Sequence, residues 1–128
     1  WQEEGVIEWW GHRKEMADVL AGAHLVCLPS YREGLPKVLI EAAASGRAIV
    51  TCDVPGCREV VAHDENGLLV PARDAAALAD AIRTLLEDPA RRRRLGEAGR
   101  MRAERLFGQQ RVNEETLALY RELLNYVP

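Results

Sequence analysis

Two carboxylates, Glu33 and Glu41, are separated by seven residues in the stretch REGLPKVLIEAAASG, which runs from Arg32 to Gly46. Each can accept two hydroxyl hydrogen bonds, so a sugar beside one and a ribose beside the other would satisfy both. Between them lies a Gly-Leu-Pro turn that opens a helix. Pro36 suits the first helical position, where its missing N–H would have no intrahelical partner, and Gly46 suits the position just past the end. The helix is therefore expected from about Leu35 to Ser45. At about 100° per residue, Lys37, Glu41 and Ser45 share one stripe, and Leu39, Ile40 and Ala43 lie opposite. Glu41 then sits about 7.5 Å of rise beyond the helix start, while Glu33 precedes it. A diphosphate at the helix N-terminus would meet unpaired N–H groups and a partial positive charge, and Gly34 would let the backbone approach it. The simpler alternative is that Glu41 only pairs with Lys37, worth about 0.3–0.5 kcal/mol, and that Glu33 is a solvated loop charge. Spacing alone leaves both open.

The elements that must position these residues repeat one design of apolar run, turn and helical stretch. Apolar runs at Val6–Trp10, His24–Leu28, Ala48–Cys52 and Gly67–Val70 read as strands, with a helix over RKEMADVLAGA, Arg13 to Ala23, carrying Met16, Val19 and Leu20 at helical spacing. Such alternation predicts an α/β fold, a parallel sheet covered by helices on both faces. After Pro71 the chain reads as helical to its end. Leu78, Ile82, Leu85 and Leu86 stripe one helix, Leu95, Ala98, Arg102 and Leu106 a second that starts at Asp88-Pro89, and a third runs from about Gln109 to Tyr126.

With 128 residues, 48% hydrophobic and 29% charged, residues 1–128 are expected to form one domain. A formal net charge of −3 gives no basic footprint for nucleic acid. No apolar run approaches the ~20 residues of a membrane span, and WQEEG does not begin a signal peptide, so a soluble chain is expected. Cys27, Cys52 and Cys57 lack the spacing of a zinc site or a disulfide framework and read as reduced thiols, in keeping with a cytosolic setting. His12, His24 and His63 show no spacing that supports a metal site or a nucleophile system.

Three further features have structural readings. Arg58, in DVPGCRE (Asp53 to Glu59), a segment that opens a short helix, either faces the ligand or pairs with a neighbouring carboxylate, and the pairing is the favoured reading. Asn66-Gly67 reads as a turn before a strand. The run Arg91 to Arg94 reads as a solvated face offset by Glu87, Asp88, Glu97 and Glu104, rather than as a contact for an anionic membrane.

PSYREGLPKVLIEAAASGRAIVTCDVPGCREVV followed by NGLLVPARD closely resembles the C-terminal, nucleotide-sugar-binding domain of the retaining glycosyltransferases of the two-Rossmann-domain (GT-B) fold, group 1 or family four. The likeness extends over essentially the whole chain, including RVNEETLALYREL. It implies a Rossmann-like parallel sheet with flanking helices and a helical C-terminal end. It implies that Glu33 lies by the donor sugar hydroxyls as the catalytic carboxylate. Gly34, Leu35 and Pro36 would face sugar and phosphate, with Pro36 offering only carbonyl and ring contacts. Val38 would lie near the nucleoside, and Glu41 would hold the ribose hydroxyls. Many relatives carry Gly-Gly where this chain has Pro55-Gly56, which is expected to shape the site wall.

The same resemblance implies transfer of a sugar from a nucleotide-diphosphate donor to a hydroxyl with retention, and no obligate metal or other cofactor. The wording of Tyr31-Arg32 and DVPGCRE is similar to enzymes of bacterial surface polysaccharide, which implies a saccharide or lipid-linked acceptor. It further implies a cytoplasmic enzyme, peripheral at the inner face of the membrane in its full-length form. Family members have an acceptor-binding N-terminal domain and an Arg and a Lys early in the C-terminal one. Both would precede Trp1, so the chain is expected to be a fragment that transfers no sugar alone. An uncovered sheet edge would then favour self-association. Two alternatives share the fold or the binding: a phosphorylase or synthase of storage sugars, and a stand-alone nucleotide-sugar-binding module.

Overall fold

The computed structural model describes residues 1–125. Three short strands, β1 (Leu25–Leu28), β2 (Ala48–Cys52) and β3 (Gly67–Val70), form a parallel sheet in the order β1-β2-β3. Leu25 pairs with Ala48 at one end of the ladder and Cys52 with Val70 at the other. Successive strand residues point to opposite faces, and every residue of β2 is buried, so both faces of the central strand are covered. The connections are α2 (Lys37–Ala44) between β1 and β2, and α3 (Cys57–Val60) between β2 and β3. Before β1 stands α1 (Met16–Ala21), and after β3 come α4 (Ala75–Glu87), α5 (Pro89–Phe107) and α6 (Gln109–Asn125). The core gathers Leu39 of α2, Ile49 and Val50 of β2, Val60 and Val61 at the end of α3, Leu85 of α4 and Leu95 of α5.

The expected α/β class, the helices and three of the four expected strands are present. Val6–Trp10 is not a strand. It has no ladder partner, and Val6, Trp9 and Trp10 are exposed. Strand-forming residues stay extended without becoming sheet when no neighbouring strand satisfies their backbone groups. The third C-terminal helix is present as α6, and its expected end at Tyr126 lies outside the described residues.

Two helical stripes shift from their expected positions. On α4, Ala81 and Leu85 are buried and Leu78 and Ile82 half-buried, but Leu86 is exposed because it lies about 100° round from Leu85. On α5 the buried line is Leu95, Gly96, Gly99 and Ala103. Its small residues let α5 cross the end of α2 at backbone distance: a Cβ on Gly96 would stand 2.0 Å from the Gly46 carbonyl oxygen.

Helix α2 begins at Lys37, two residues later than the start expected at about Leu35. Pro36, with φ −73° and ψ 103°, is extended and stands outside the helix as its N-cap. Its carbonyl accepts the N–H groups of Leu39 at 3.1 Å and Ile40 at 3.3 Å. At the other end Gly46 has φ 71°. Its N–H donates to the Ala43 carbonyl at 2.9 Å, and that of Arg47 donates to Ala42 at 3.0 Å, which closes the helix in the paired pattern of a Schellman cap.

Candidate functional site

The site is built on the loop from Pro29 to Pro36 that joins β1 to α2 at the carboxyl end of the sheet. Its base is fastened by Thr51 of β2, which is fully buried. The Thr51 hydroxyl donates to the Leu28 carbonyl at 2.8 Å and keeps its lone pairs toward the Cys57 thiol at 3.3 Å. One side chain thus ties together the ends of two strands and the start of α3.

Glu33 is half-buried in this loop, and its Oε1 accepts the Ser30 hydroxyl at 2.6 Å. One oxygen of this carboxylate is thereby held to its own loop. Behind it stands the loop that follows β2. Gly56, at φ 87° and ψ −56°, occupies a conformation open to glycine alone without strain. A Cβ there would lie 2.0 Å from the Gly34 carbonyl oxygen and 2.7 Å from that of Glu33. Pro55-Gly56 therefore forms a wall in direct backbone contact with the Glu33–Gly34 peptide. Gly34 differs in kind, because a Cβ on it would meet nothing within 4 Å. Its surroundings leave the backbone open to approach.

Leu35 is exposed and Pro36 buried. Because the Pro36 carbonyl is committed to Leu39 and Ile40, the expected carbonyl contact to a ligand is not on offer. Pro36 sets the angle at which the chain enters α2. Further along, Lys37 and Glu41 form the i, i+4 pair of the simpler alternative, with Nζ and Oε1 3.7 Å apart. The Lys37 side chain is 89% exposed and that of Glu41 33%, so the pair contributes little stability.

Val38 and Glu41 do more than face solvent. With Lys37 they border a depression of about 520 Å³ whose other side is made by Trp10, His12 and Arg13. The Arg13 guanidinium lies 5.4 Å above the Trp10 ring, and the indole N–H donates to Glu8 at 2.9 Å. The structure thus brings Val38 and Glu41 to one depression. Glu33, Gly34, Leu35 and Pro36 belong instead to the loop at the head of α2. Trp10 to Arg13 carried no site signal in the sequence: the Trp9-Trp10 pair read as strand core, and only the exposure of three tryptophans within ten residues sets it apart.

The other sequence-level candidates have structural duties. Arg58 pairs with the Asp53 carboxylate and donates to the Asp53 carbonyl at 3.1 Å. Asn66 is fully buried, accepting from Ala62 N–H at 2.8 Å and donating to the Val60 carbonyl at 3.0 Å. The arginine run is not a simple solvated face. Arg91 and Arg94 reach Asp64 at 2.8 and 3.8 Å, and Arg92 donates to the Leu85 and Leu86 carbonyls at 2.7 Å each, closing the end of α4. Arg91 beside Asp64 holds its carboxyl below the usual range. Burial pushes the thiols of Cys27 and Cys52 up, which keeps both protonated and unsuited to nucleophilic attack. His63 accepts the Leu69 N–H through Nδ1 at 3.0 Å. Among the described residues, no group of three or more His, Cys, Asp or Glu side chains is placed to hold a metal ion.

A family model described as glycosyl transferases group 1 matches residues 1–88. The MMP alpha-(1->4)-mannosyltransferase of Mycolicibacterium hassiacum is 38% identical over 112 residues, which is 87% of this chain and 27% of that protein. The solved structure of sucrose-phosphate synthase from Thermosynechococcus elongatus is 39% identical with a TM-score of 0.82, over 85% of this chain and 27% of that one. Anabaena HepE, solved in complex with UDP-glucose, has a TM-score of 0.88 at 24% identity, over 93% of this chain and 33% of its own, a likeness of fold. The chain thus spans about a quarter to a third of the length of these proteins.

Proposed function

The chain belongs to the glycosyl transferases of group 1, with the Rossmann-like architecture of the GT-B fold, and from that premise we propose that it is the part of a transferase that holds the nucleotide-diphosphate sugar. The observation that carries the reading is the shared depression of Val38 and Glu41 beside the start of α2. It supports the reading by offering a recess for a nucleoside whose diphosphate sits at the helix head. Glu41 accepts the ribose hydroxyls, and Val38 packs against the nucleoside. The open backbone at Gly34 and Leu35 receives the diphosphate and sugar, and Glu33, steadied by Ser30, accepts sugar hydroxyls.

In the reaction so read, the anomeric carbon loses its bond to the diphosphate oxygen and gains one to the acceptor oxygen, with configuration retained. The departing diphosphate oxygen takes the electron pair of the broken bond and receives the proton that the acceptor hydroxyl gives up. Its charge is met by the N–H groups of the first turn of α2 and by Lys37, which is why no metal is required in this reading. The acceptor is a saccharide, free or lipid-linked, bound by further protein outside these residues. The 39% identity to sucrose-phosphate synthase keeps a synthase of storage sugars as the second reading.

Calorimetric titration with a panel of nucleoside diphosphate sugars tests the proposal. Saturable binding, weakened at least tenfold in Glu41→Ala, is expected. Absence of binding by every member of the panel overturns it.

A further inference from the structure

A second cavity, of about 290 Å³, opens where the carboxyl ends of all three strands converge. Pro29 and Tyr31 follow β1, Cys52 ends β2, and Pro71 and Arg73 follow β3. Ligands of open parallel sheets sit outside the carboxyl ends of the strands. Here the Arg73 guanidinium stacks over the Tyr31 ring, 5.3 Å from its centroid. Tyr31 is 61% exposed. Among the described residues Arg73 has no carboxylate or carbonyl partner, whereas Arg58, Arg91, Arg92 and Arg102 are all engaged. The one carboxylate lining the cavity, Asp74, accepts the Ala77 N–H at 2.9 Å, and its charge is balanced by the start of α4 that it caps.

The backbone adds a second, independent observation. Arg73 has φ 61°, in the left-handed region where a side chain costs about 1–2 kcal/mol and glycine costs none. A turn alone would be better made with glycine. An arginine held there at a cost indicates a use for its side chain.

The chemistry of that use follows from the pair. An arginine stacked on an aromatic ring keeps the edge of its planar fork available for bidentate hydrogen bonding to phosphate. The exposed ring of Tyr31 offers apolar surface beside it, against which the C–H face of a sugar can lie. The volume is at the small end of ligand pockets, enough for one sugar ring and too little for a nucleotide sugar. We infer that this cavity binds a phosphate monoester carried on a monosaccharide, with Arg73 holding the phosphate and Tyr31 the ring. Recognition of this phosphate is independent of the donor reading of the preceding subsection, whose acceptor is bound elsewhere.

The test is a set of ¹H–¹⁵N spectra of the 128-residue chain, titrated separately with inorganic phosphate, glucose 6-phosphate, glucose and UDP-glucose. Glucose 6-phosphate is expected to shift Tyr31, Arg73 and Asp74, and to do so at lower concentration than inorganic phosphate, with glucose alone weakest. Arg73→Gly is expected to weaken the response to glucose 6-phosphate at least tenfold without lowering Tm, because glycine relaxes the backbone. A purely structural arginine would lower Tm instead. Arg73→Gln, which keeps a side chain at that position, is expected to lose the response likewise. Glu41→Ala should weaken the UDP-glucose response at least tenfold and leave that to glucose 6-phosphate intact, so failure of the donor reading is separable from failure of this one. Unchanged Tyr31 and Arg73 signals with both phosphates, an undiminished response in both Arg73 variants, or an equal response to glucose overturns the inference.

Discussion

Gly56 lies so close to Gly34 that a Cβ on it would come within 2.0 Å of the Gly34 carbonyl oxygen. The loop after β2 thereby fixes the height of the loop after β1, and with it the position of Glu33. Gly56→Ala adds both this collision and a backbone strain. It is expected to destabilise the chain by about 2 kcal/mol or more, read as a fall in the midpoint of urea unfolding at unchanged slope. An unchanged midpoint would mean that the two loops are not in contact.

Glu41 and Glu33 are expected to fail differently in the complete enzyme. A ribose contact is the same in the ground and transition states, so Glu41→Ala should chiefly raise KM. Glu33 lies where the sugar ring reorients as positive charge develops. Glu33→Ala should lower kcat by about tenfold or more, given loss of a charge-assisted contact of ~1.5–3 kcal/mol. Donor-dependent kinetics at saturating acceptor decide this. If both glutamate variants match wild type, the two carboxylates do not bracket the donor.

Asp64 gives the stability a dependence on acid. Its hydrogen bond and charge pairing with Arg91 depress its pKa below the ordinary value of 3.8. The pairing therefore stabilises the fold fully above that value and is lost as pH falls through the lower, folded-state one. Asn tolerates the φ of 57° at this position, so Asp64→Asn isolates the charge. The Tm difference between wild type and variant should be constant near neutral pH and shrink below about pH 4. A difference that persists undiminished into strong acid would exclude the ion pair as its cause.

The 128-residue chain is expected to bind donor without transferring it, because juxtaposition of acceptor and donor supplies much of the rate. Measurable turnover of any nucleotide sugar with simple saccharide acceptors would sink this expectation.

Strand β1 is an edge, hydrogen-bonded within the described residues to β2 alone, and all four of its residues are half-buried. Edges of this kind pair with a second strand when one is offered. The chain's Tm is expected to rise over a hundredfold range of concentration, as association requires. A flat response would show that this edge does not pair between copies.

Much of this architecture was legible in the residues. The helix that carries Glu41 announces itself through Pro36, Gly46 and the apolar stripe of Leu39 and Ala43, all local signals. The Arg58–Asp53 pair lies within one short loop and was equally visible. The features that escaped notice join distant parts of the chain. Asp64 neutralises Arg91 from 27 positions away, while the acidic neighbours of the run in sequence suggested another balance. Val6 to Trp10 has the composition of a strand, yet strand formation depends on a partner that composition does not supply. Pro55-Gly56 was expected as a wall from the resemblance, yet the contact of Gly56 with the Gly34 carbonyl exists only in the fold. For the same reason the depression shared by Trp10 and Glu41 was invisible beforehand.

The crossing of Gly96 over Gly46 removes the layer of side chains that ordinarily lies between two helices. Side chains yield by changing rotamer; bare backbones do not. Helix α5, 19 residues long and so about 28 Å from end to end, therefore acts on α2 as a rigid beam acts on its bearing. A change in the tilt of α5 is expected to be felt at the end of α2, the helix that carries Val38 and Glu41. Substitutions along α5 that touch no ligand should in this way retune the grip on a nucleoside.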